Sequence, residues 1–278
     1  MAASDTTDRR LAELMAAASA RARLETGRNL ILAVAFLALV GFTYNRTEFS
    51  LPALVTGAHN MTRILAGFAH PDPAPLQLVL KAVAETLETA ILGTTIGAVI
   101  AVPLSFVAAR NLMGRNPAGT GVYLLVRMLM SVIRAVPTLF WGLLFVTAIG
   151  IGPFPGVLAV TVFSIGLMSK LFSEAIEAID WGQVEALTAT GATPVQVVVN
   201  GVFPQVTPYM IAHLLYTFEV NVHSATILGI VGAGGIGFLF FQYIEQFQYS
   251  QEATVLIVVV LMTMIIDYSS AAVRRRII

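Results

Sequence analysis

Five ionisable side chains fall inside long apolar stretches: Arg127, Arg134, Lys170, Glu219 and His223. A charge in a hydrocarbon layer is costly enough that each is a functional candidate. Arg134, followed by Val136-Pro137, could present its forked donors to two oxygens of an oxyanion; the competing reading is an internal ion pair with Glu219. Glu219 and His223 are four residues apart and share one helical face. An unpaired carboxylate would repel an anion, so Glu219 is assigned to structure or gating. Arg127 and Lys170 stand near expected helix ends, where long stems carry their charges to the polar layer. His213 reads as a packing residue, and His59 and His70 as loop residues.

The run Gly232-Ala233-Gly234-Gly235-Ile236-Gly237 contains a formal GxGxxG. A dinucleotide turn also needs a preceding strand, a following helix and a later acidic residue, whereas this run sits between apolar segments. Two readings remain for Gly232, Gly234, Gly235 and Gly237: close helix packing, or a concavity of backbone N–H groups able to receive an anion. No GxxxxGK[ST] occurs, so no P-loop binds ATP here. Zero cysteines exclude disulfide, zinc-thiolate, iron–sulfur and thiol chemistry, and no His or carboxylate spacing makes a metal site. No catalytic residue is assigned.

The elements that must position these groups belong in a membrane. Of 278 residues, 57% are hydrophobic and 12% charged, with mean hydropathy +0.81, far from the composition of soluble domains. The formal net charge of +0 gives no reason to expect nucleic acid. Six apolar segments approach the ~20 residues that span a bilayer core: Asn29 to Tyr44, Thr86 to Ala109, one within Val122 to Gly150, Gly156 to Ala178, about Pro204 to Val222, and Ala253 to Ala272. The first reads as an uncleaved helix, because no small-residue cleavage pattern follows it. Between the last two, Ser224 to Phe241 is apolar but Gly-rich and is expected to be irregular, which protein burial or a cavity must accommodate. Arginines concentrate before the first span, between the second and third (Arg110, Arg115), and at the end (Arg274, Arg275, Arg276). That asymmetry puts both termini in the cytoplasm. The expected layout is a cytoplasmic amphipathic segment over 1–28, a first transmembrane helix over 29–44, an extracytoplasmic loop over 45–85, and a helical core over 86–278.

Between the fourth and fifth spans, residues 182–203 read as helix, turn, helix. Gly191 supplies the freedom a tight turn needs, and Pro194 can open the next helix, where its missing N–H is harmless. Periodicity alone leaves an ordinary amphipathic connector equally open. The spacing of Glu185-Ala186, Gly191 and Pro204, however, resembles the cytoplasmic coupling loop of ABC-importer permeases. It departs from the commonest form at Leu187, where a second Ala is usual, and at Gly201 and Phe203, where aliphatic residues are usual. Three further stretches resemble the phosphonate-uptake branch of that family: Pro103 to Leu112, Glu174 through Gly191, and Ala225 through Gly237. His223 stands where an Arg is expected from the resemblance.

The resemblance implies an all-α fold of six transmembrane helices of the type I ABC importer kind, in the bacterial inner membrane. It implies alternating access driven by two ATP-binding subunits that hold ATP and Mg, an extracytoplasmic solute-binding protein, and a second copy of the chain completing the pathway. Glu185, Ala186 and Gly191 would dock to the ATPase, and this chain would be no enzyme. The implied cargo is phosphonate, phosphite or phosphate. The rivals are an ABC permease for another solute such as methionine, an ion-coupled secondary transporter, and an integral-membrane enzyme for which no catalytic cluster can be assembled.

Overall fold

Long apolar runs punctuated by proline and glycine dictate helices with sharp ends. The structure, a computed structural model, describes residues 25, 27–47, 50–113 and 117–277, excepting the side chains of Leu54 and His59. Every regular element among them is helical. The chain divides into two units, residues 1–63 and 64–278. The first holds α1 (Gly27–Arg46), an exposed apolar helix of 20 residues, and most of α2 (Leu51–Phe68). The amphipathic segment expected over residues 1–28 lies, apart from Glu25, Gly27 and Arg28, outside the described residues.

The stretch 45–85, expected to connect the first two spans outside the cytoplasm, is largely helical. It contains α2 and the first turns of α3 (Leu76–Val107). Ser50 caps α2 by accepting from the Ala53 N–H at 3.2 Å, and the polar residues of the run lower its hydropathy without opposing a helix. Three prolines, Pro71, Pro73 and Pro75, then separate α2 from α3, because proline cannot continue a helix. Asp72 is tied to a distant segment: its N–H donates to the Ser250 carbonyl, and Thr254 Oγ1 donates to the Asp72 carbonyl at 2.6 Å.

The 32 residues of α3 run about 48 Å at 1.5 Å each, longer than a ~30 Å hydrocarbon core. Gly93 and Gly97, four apart on one face, admit α7 (Pro153–Glu177) against its backbone. A β carbon on Gly93 would lie 2.7 Å from Val160 Cβ, and one on Gly97 2.5 Å from Ser164 Cβ; small residues at this spacing let membrane helices meet closely.

After the short α4 (Arg110–Met113) come α5 (Pro117–Ala135) and α6 (Thr138–Ile149). The third expected span is therefore two helices broken at Val136-Pro137, where a missing N–H and the steric rule for the preceding residue end α5. Beyond α7 lie α8 (Trp181–Ala189) and α9 (Pro194–Val197), a π-helical turn at Val198–Val202, and α10 (Phe203–Leu228). A second π-helical turn, Gly229–Ala233, leads to α11 (Gly235–Glu245) and α12 (Tyr249–Ile277). Six helical runs among the described residues, in α1, α3, α5, α7, the stretch Pro194–Ala233, and α12, are long and apolar enough to cross a membrane.

Candidate functional site

The α8–α9 hairpin is built by local rules. Asp180 caps α8 by accepting from the Gly182 N–H at 2.9 Å. Gly191 turns the chain at φ +82°, where a side chain would be strained. Thr193 and Gln196 form a reciprocal capping box on α9. Val184 is buried, whereas Glu185 and Ala186 are exposed. Gln205, at the start of α10, closes the segment into a ring by accepting from the Asp180 N–H (3.1 Å) and donating to the Gly201 carbonyl (2.7 Å). Two of the departures from the coupling pattern meet here: Leu187 lies over Gly201, where a β carbon would come within 2.9 Å of its Cδ1. The hairpin borders a cavity of about 660 Å³ that includes Phe106, Asn111, Trp181 and Glu185 in its wall.

Glu177, at the end of α7, fastens this face of the core. One carboxylate oxygen accepts from the Arg110 N–H at 2.8 Å, opening α4, and the other accepts from Arg127 Nη2 at 3.1 Å. Asn111 Nδ2 adds a bond to the Ile176 carbonyl. Two stretches singled out from sequence, Pro103 to Leu112 and Glu174 to Gly191, are thus brought together. Arg127, explained from sequence by a helix end, has a specific partner 50 residues away.

Arg134 stands at the α5–α6 break and lays its stem on Gly166 of α7, where a β carbon would sit 3.0 Å from Arg134 Cγ. Its Nε is buried without a hydrogen-bond partner, and Nη2 reaches only Ser131 Oγ at 3.4 Å. The internal pair considered for it is formed otherwise: Glu219 accepts from Arg274 Nη2 at 3.1 Å, linking α10 to α12. His223 is exposed on α10, with Nδ1 2.9 Å from the Glu219 carbonyl. Sequence reasoning passed over two residues. Asn221, fully buried, donates to Thr94 Oγ1 and Ser164 Oγ at 2.7 Å each and so joins α3, α7 and α10. Asp267 has a buried carboxylate oxygen without a partner inside α12. Each was visible as a polar residue in an apolar run.

The Gly-rich segment breaks the helix at Gly232 (φ +95°) and Gly234 (φ +75°). Its glycines make room. A β carbon on Gly229 would meet the Gly234 carbonyl oxygen at 2.6 Å, and one on Gly237 would lie 2.9 Å from the Thr226 carbonyl carbon. The Ile236 N–H, in the first turn of α11, donates to Thr86 Oγ1 at 2.9 Å, and the Gly232 carbonyl accepts from the Gly152 N–H at 2.9 Å. Gly234 packs against the Glu85 carboxylate. This arrangement favours packing of α10, α11 and α3 over an anion-binding concavity.

Residues 101–278 match the family described as "Binding-protein-dependent transport system inner membrane component". The phosphite transport system permease protein PtxC of Stutzerimonas stutzeri is 38% identical over 222 residues, covering 80% of this chain and 79% of that one. The phosphate-import permease protein PhnE of Mycolicibacterium smegmatis is 37% identical over 231 residues, covering 82% of this chain and 42% of that longer one. Among solved structures, an inward-facing methionine ABC transporter, MetNI, matches with TM-score 0.66 and 26% identity over 74% of this chain and 99% of that chain.

Proposed function

Because the chain belongs to the family of binding-protein-dependent transport system inner membrane components, we propose that it carries a phosphorus oxyanion, phosphite, phosphate or phosphonate, across the bacterial inner membrane. It is the membrane-spanning permease subunit of an ABC importer, with the type I importer fold, and is not itself an enzyme. Membership brings an ATPase and a binding protein as partners. In the finer reading, two ATP-binding subunits hold ATP and Mg, a second copy of this chain completes the pathway, and both termini face the cytoplasm. Glu185 and Ala186, exposed on a hairpin that Gly191 turns and Gln205 closes, dock to the ATPase. Closure of the ATPase pair then pulls on α8 and α9, and α10 carries the movement into the core.

The observation that carries the substrate class is Arg134. A guanidinium with a buried, unpartnered Nε at the break between α5 and α6 suits a small oxyanion that replaces water with charge-assisted hydrogen bonds. It is consistent with the solutes named for the two relatives. His223 adds an exposed imidazole on α10, while Glu219, paired with Arg274, is kept from repelling the cargo. Gly232, Gly234, Gly235 and Gly237 set the shape of the path's wall by packing. Binding is weak, because the ion must leave as well as enter.

The test is uptake of labelled phosphate by cells with and without this chain, other phosphate importers deleted, with phosphite and phosphonates as competitors. Dependence on the chain together with competition identifies the cargo by rank. If neither phosphate uptake nor growth on phosphite or phosphonates depends on the chain, the phosphorus assignment fails and another solute, methionine among them, takes its place. Uptake that collapses with the ion gradient while ATP is maintained would instead point to an ion-coupled carrier. Co-purification of two differently tagged copies tests the second copy; a different permease chain in its place overturns the self-pairing.

A further inference from the structure

The local rules that end α11 favour a glycine where the chain carries Phe247. The Gln248 N–H donates to the Tyr243 carbonyl and the Phe247 N–H to the Ile244 carbonyl, at 3.0 Å each, the paired bonds of a helix end whose next residue turns left-handed. That residue is usually glycine, because a side chain on it is strained. Phe247 holds this conformation at φ +55°, alone among the described residues other than glycine. Burial of the ring does not offset the strain: it is 74% exposed and meets Tyr249 edge-on at 6.4 Å between centroids. The turn beneath it is firmly held. Tyr249 packs on Gly67 of α2, and Asp72 bonds to Ser250 and Thr254 at the start of α12. The same bonds place the turn at the end of the core remote from the docking hairpin, since Asp72 precedes α3, whereas Phe106 and Val107, at the far end of that helix, line the hairpin's cavity.

We propose that Phe247 is the anchor by which this end of the permease holds the solute-binding protein. The proposal rests on the importer reading above, which brings such a protein as a partner; with the hairpin turned to the ATPase, the α11–α12 turn faces the side from which solute is delivered. Strain kept on an exposed aromatic ring serves nothing inside the fold, and strained backbone gathers where a side chain must be presented to a partner. The surroundings fit a protein. Exposed Glu245, Gln246 and Gln248 flank the ring in sequence, so one apolar group stands among polar neighbours, the anatomy in which a central aromatic carries most of the binding energy. A lipid anchor would need no particular backbone conformation, and anchors at the membrane surface draw on basic residues as well as Trp and Tyr; no Lys or Arg stands anywhere between Lys170 and Arg274. The matching surface on the binding protein is an apolar socket edged by hydrogen-bonding groups. A ring already fixed on a braced turn enters it without the entropy cost of ordering a mobile loop.

The experiment uses the complete permease–ATPase assembly in proteoliposomes and the solute-binding protein that stimulates ATP hydrolysis by the wild type. Phe247→Gly removes the ring and the strain together. It is expected to raise the binding-protein concentration for half-maximal stimulation roughly tenfold, as loss of a central aromatic anchor does, with the maximal rate nearly unchanged and the permease's thermal midpoint at or above that of the wild type. Phe247→Trp is expected to keep stimulation close to the wild type. A ring that serves the fold predicts the reverse, a lower thermal midpoint and an unchanged half-maximal concentration, and that unchanged concentration overturns the proposal. Since the chain has no cysteine, Gln246→Cys can carry a photoactivatable benzophenone beside the ring. On illumination it should capture the binding protein; capture of lipid alone assigns the ring to the membrane surface and also overturns the proposal. Absence of stimulation by any solute-binding protein in the wild-type assembly would strike the partnership on which the proposal rests, and so is distinguishable from either result.

Discussion

Leu187 of α8 lies against Gly201, the fourth residue of the π-helical turn before α10, so close that a β carbon on the glycine would have to push the leucine tip aside. The larger residue on one side of the hairpin is matched by the missing side chain on the other, so these two departures from the usual coupling pattern are a single packing solution. Gly201→Ala should therefore destabilise the hairpin by about 1 kcal/mol, the low end of the range for overpacking, because the leucine tip can move. Adding Leu187→Ala should restore most of the loss, giving a coupling energy of ~1 kcal/mol in a double-mutant cycle. Stimulated ATP hydrolysis and thermal stability of the assembled complex are the readouts. Strictly additive effects would show that the two residues do not share this space.

The pair Glu219–Arg274, half-buried at 22% and 30% exposure, predicts an asymmetric response. Glu219→Gln strands a guanidinium between α10 and α12 and should cost roughly 1–3 kcal/mol, between the ranges for exposed and buried pairs. Glu219→Leu combined with Arg274→Leu strands nothing and should approach wild-type thermal stability in detergent. If the double variant is the less stable of the two, the charges matter for more than each other, and the gating role for Glu219 gains weight.

What was legible in the sequence was what local rules govern. Gly191 and Pro194 announce the hairpin, and the apolar runs announce the spans. The break at Val136-Pro137 followed from the same rules, yet the hydropathy of residues 122–150 masks it, because both halves are apolar. Partner choice was not legible. Nothing in the spacing says that Arg127 meets Glu177, that Glu219 meets Arg274, or that Arg134 rests on Gly166, since these depend on how α5, α7, α10 and α12 pack. The glycines show the same limit: GxGxxG is compatible with a cradle or a crossing, and only the approach of Thr226 to Gly237 and of Thr86 to the Ile236 N–H favours the crossing.

The proposed docking role of the hairpin and its fastening to the core are separable. Glu185 is exposed and without a structural bond to lose, so Glu185→Ala should leave the folding of the isolated permease within about 0.5 kcal/mol while uncoupling ATP hydrolysis from uptake or weakening ATPase assembly. Gly191→Pro should impair both folding and coupling, because it forces a φ of about −65° on a turn built at +82°. Glu177→Gln loses its charge-assisted bond to Arg127 and weakens the one to the Arg110 N–H, so it should lower the permease's own thermal stability by about 1–3 kcal/mol. Normal stimulated hydrolysis and uptake in both Glu185→Ala and Gly191→Pro would remove the hairpin from the docking role.

Gly237 separates the two readings of the Gly-rich segment most sharply. A β carbon there would collide with the Thr226 carbonyl, which is backbone and cannot rotate aside, so Gly237→Ala must push α11 away from α10. The contact with Thr86 at the start of α11 would then stretch as well, and a loss of about 2–4 kcal/mol is expected, at or above the overpacking range because backbone gives less than a side chain. An anion cradle predicts something else: Gly237→Ala would leave thermal stability near wild type and impair uptake alone. Measuring both on one purified sample decides between them. Stability and uptake falling together assigns the segment to helix packing, whereas a stable protein with lost uptake would return these glycines to the ion's path.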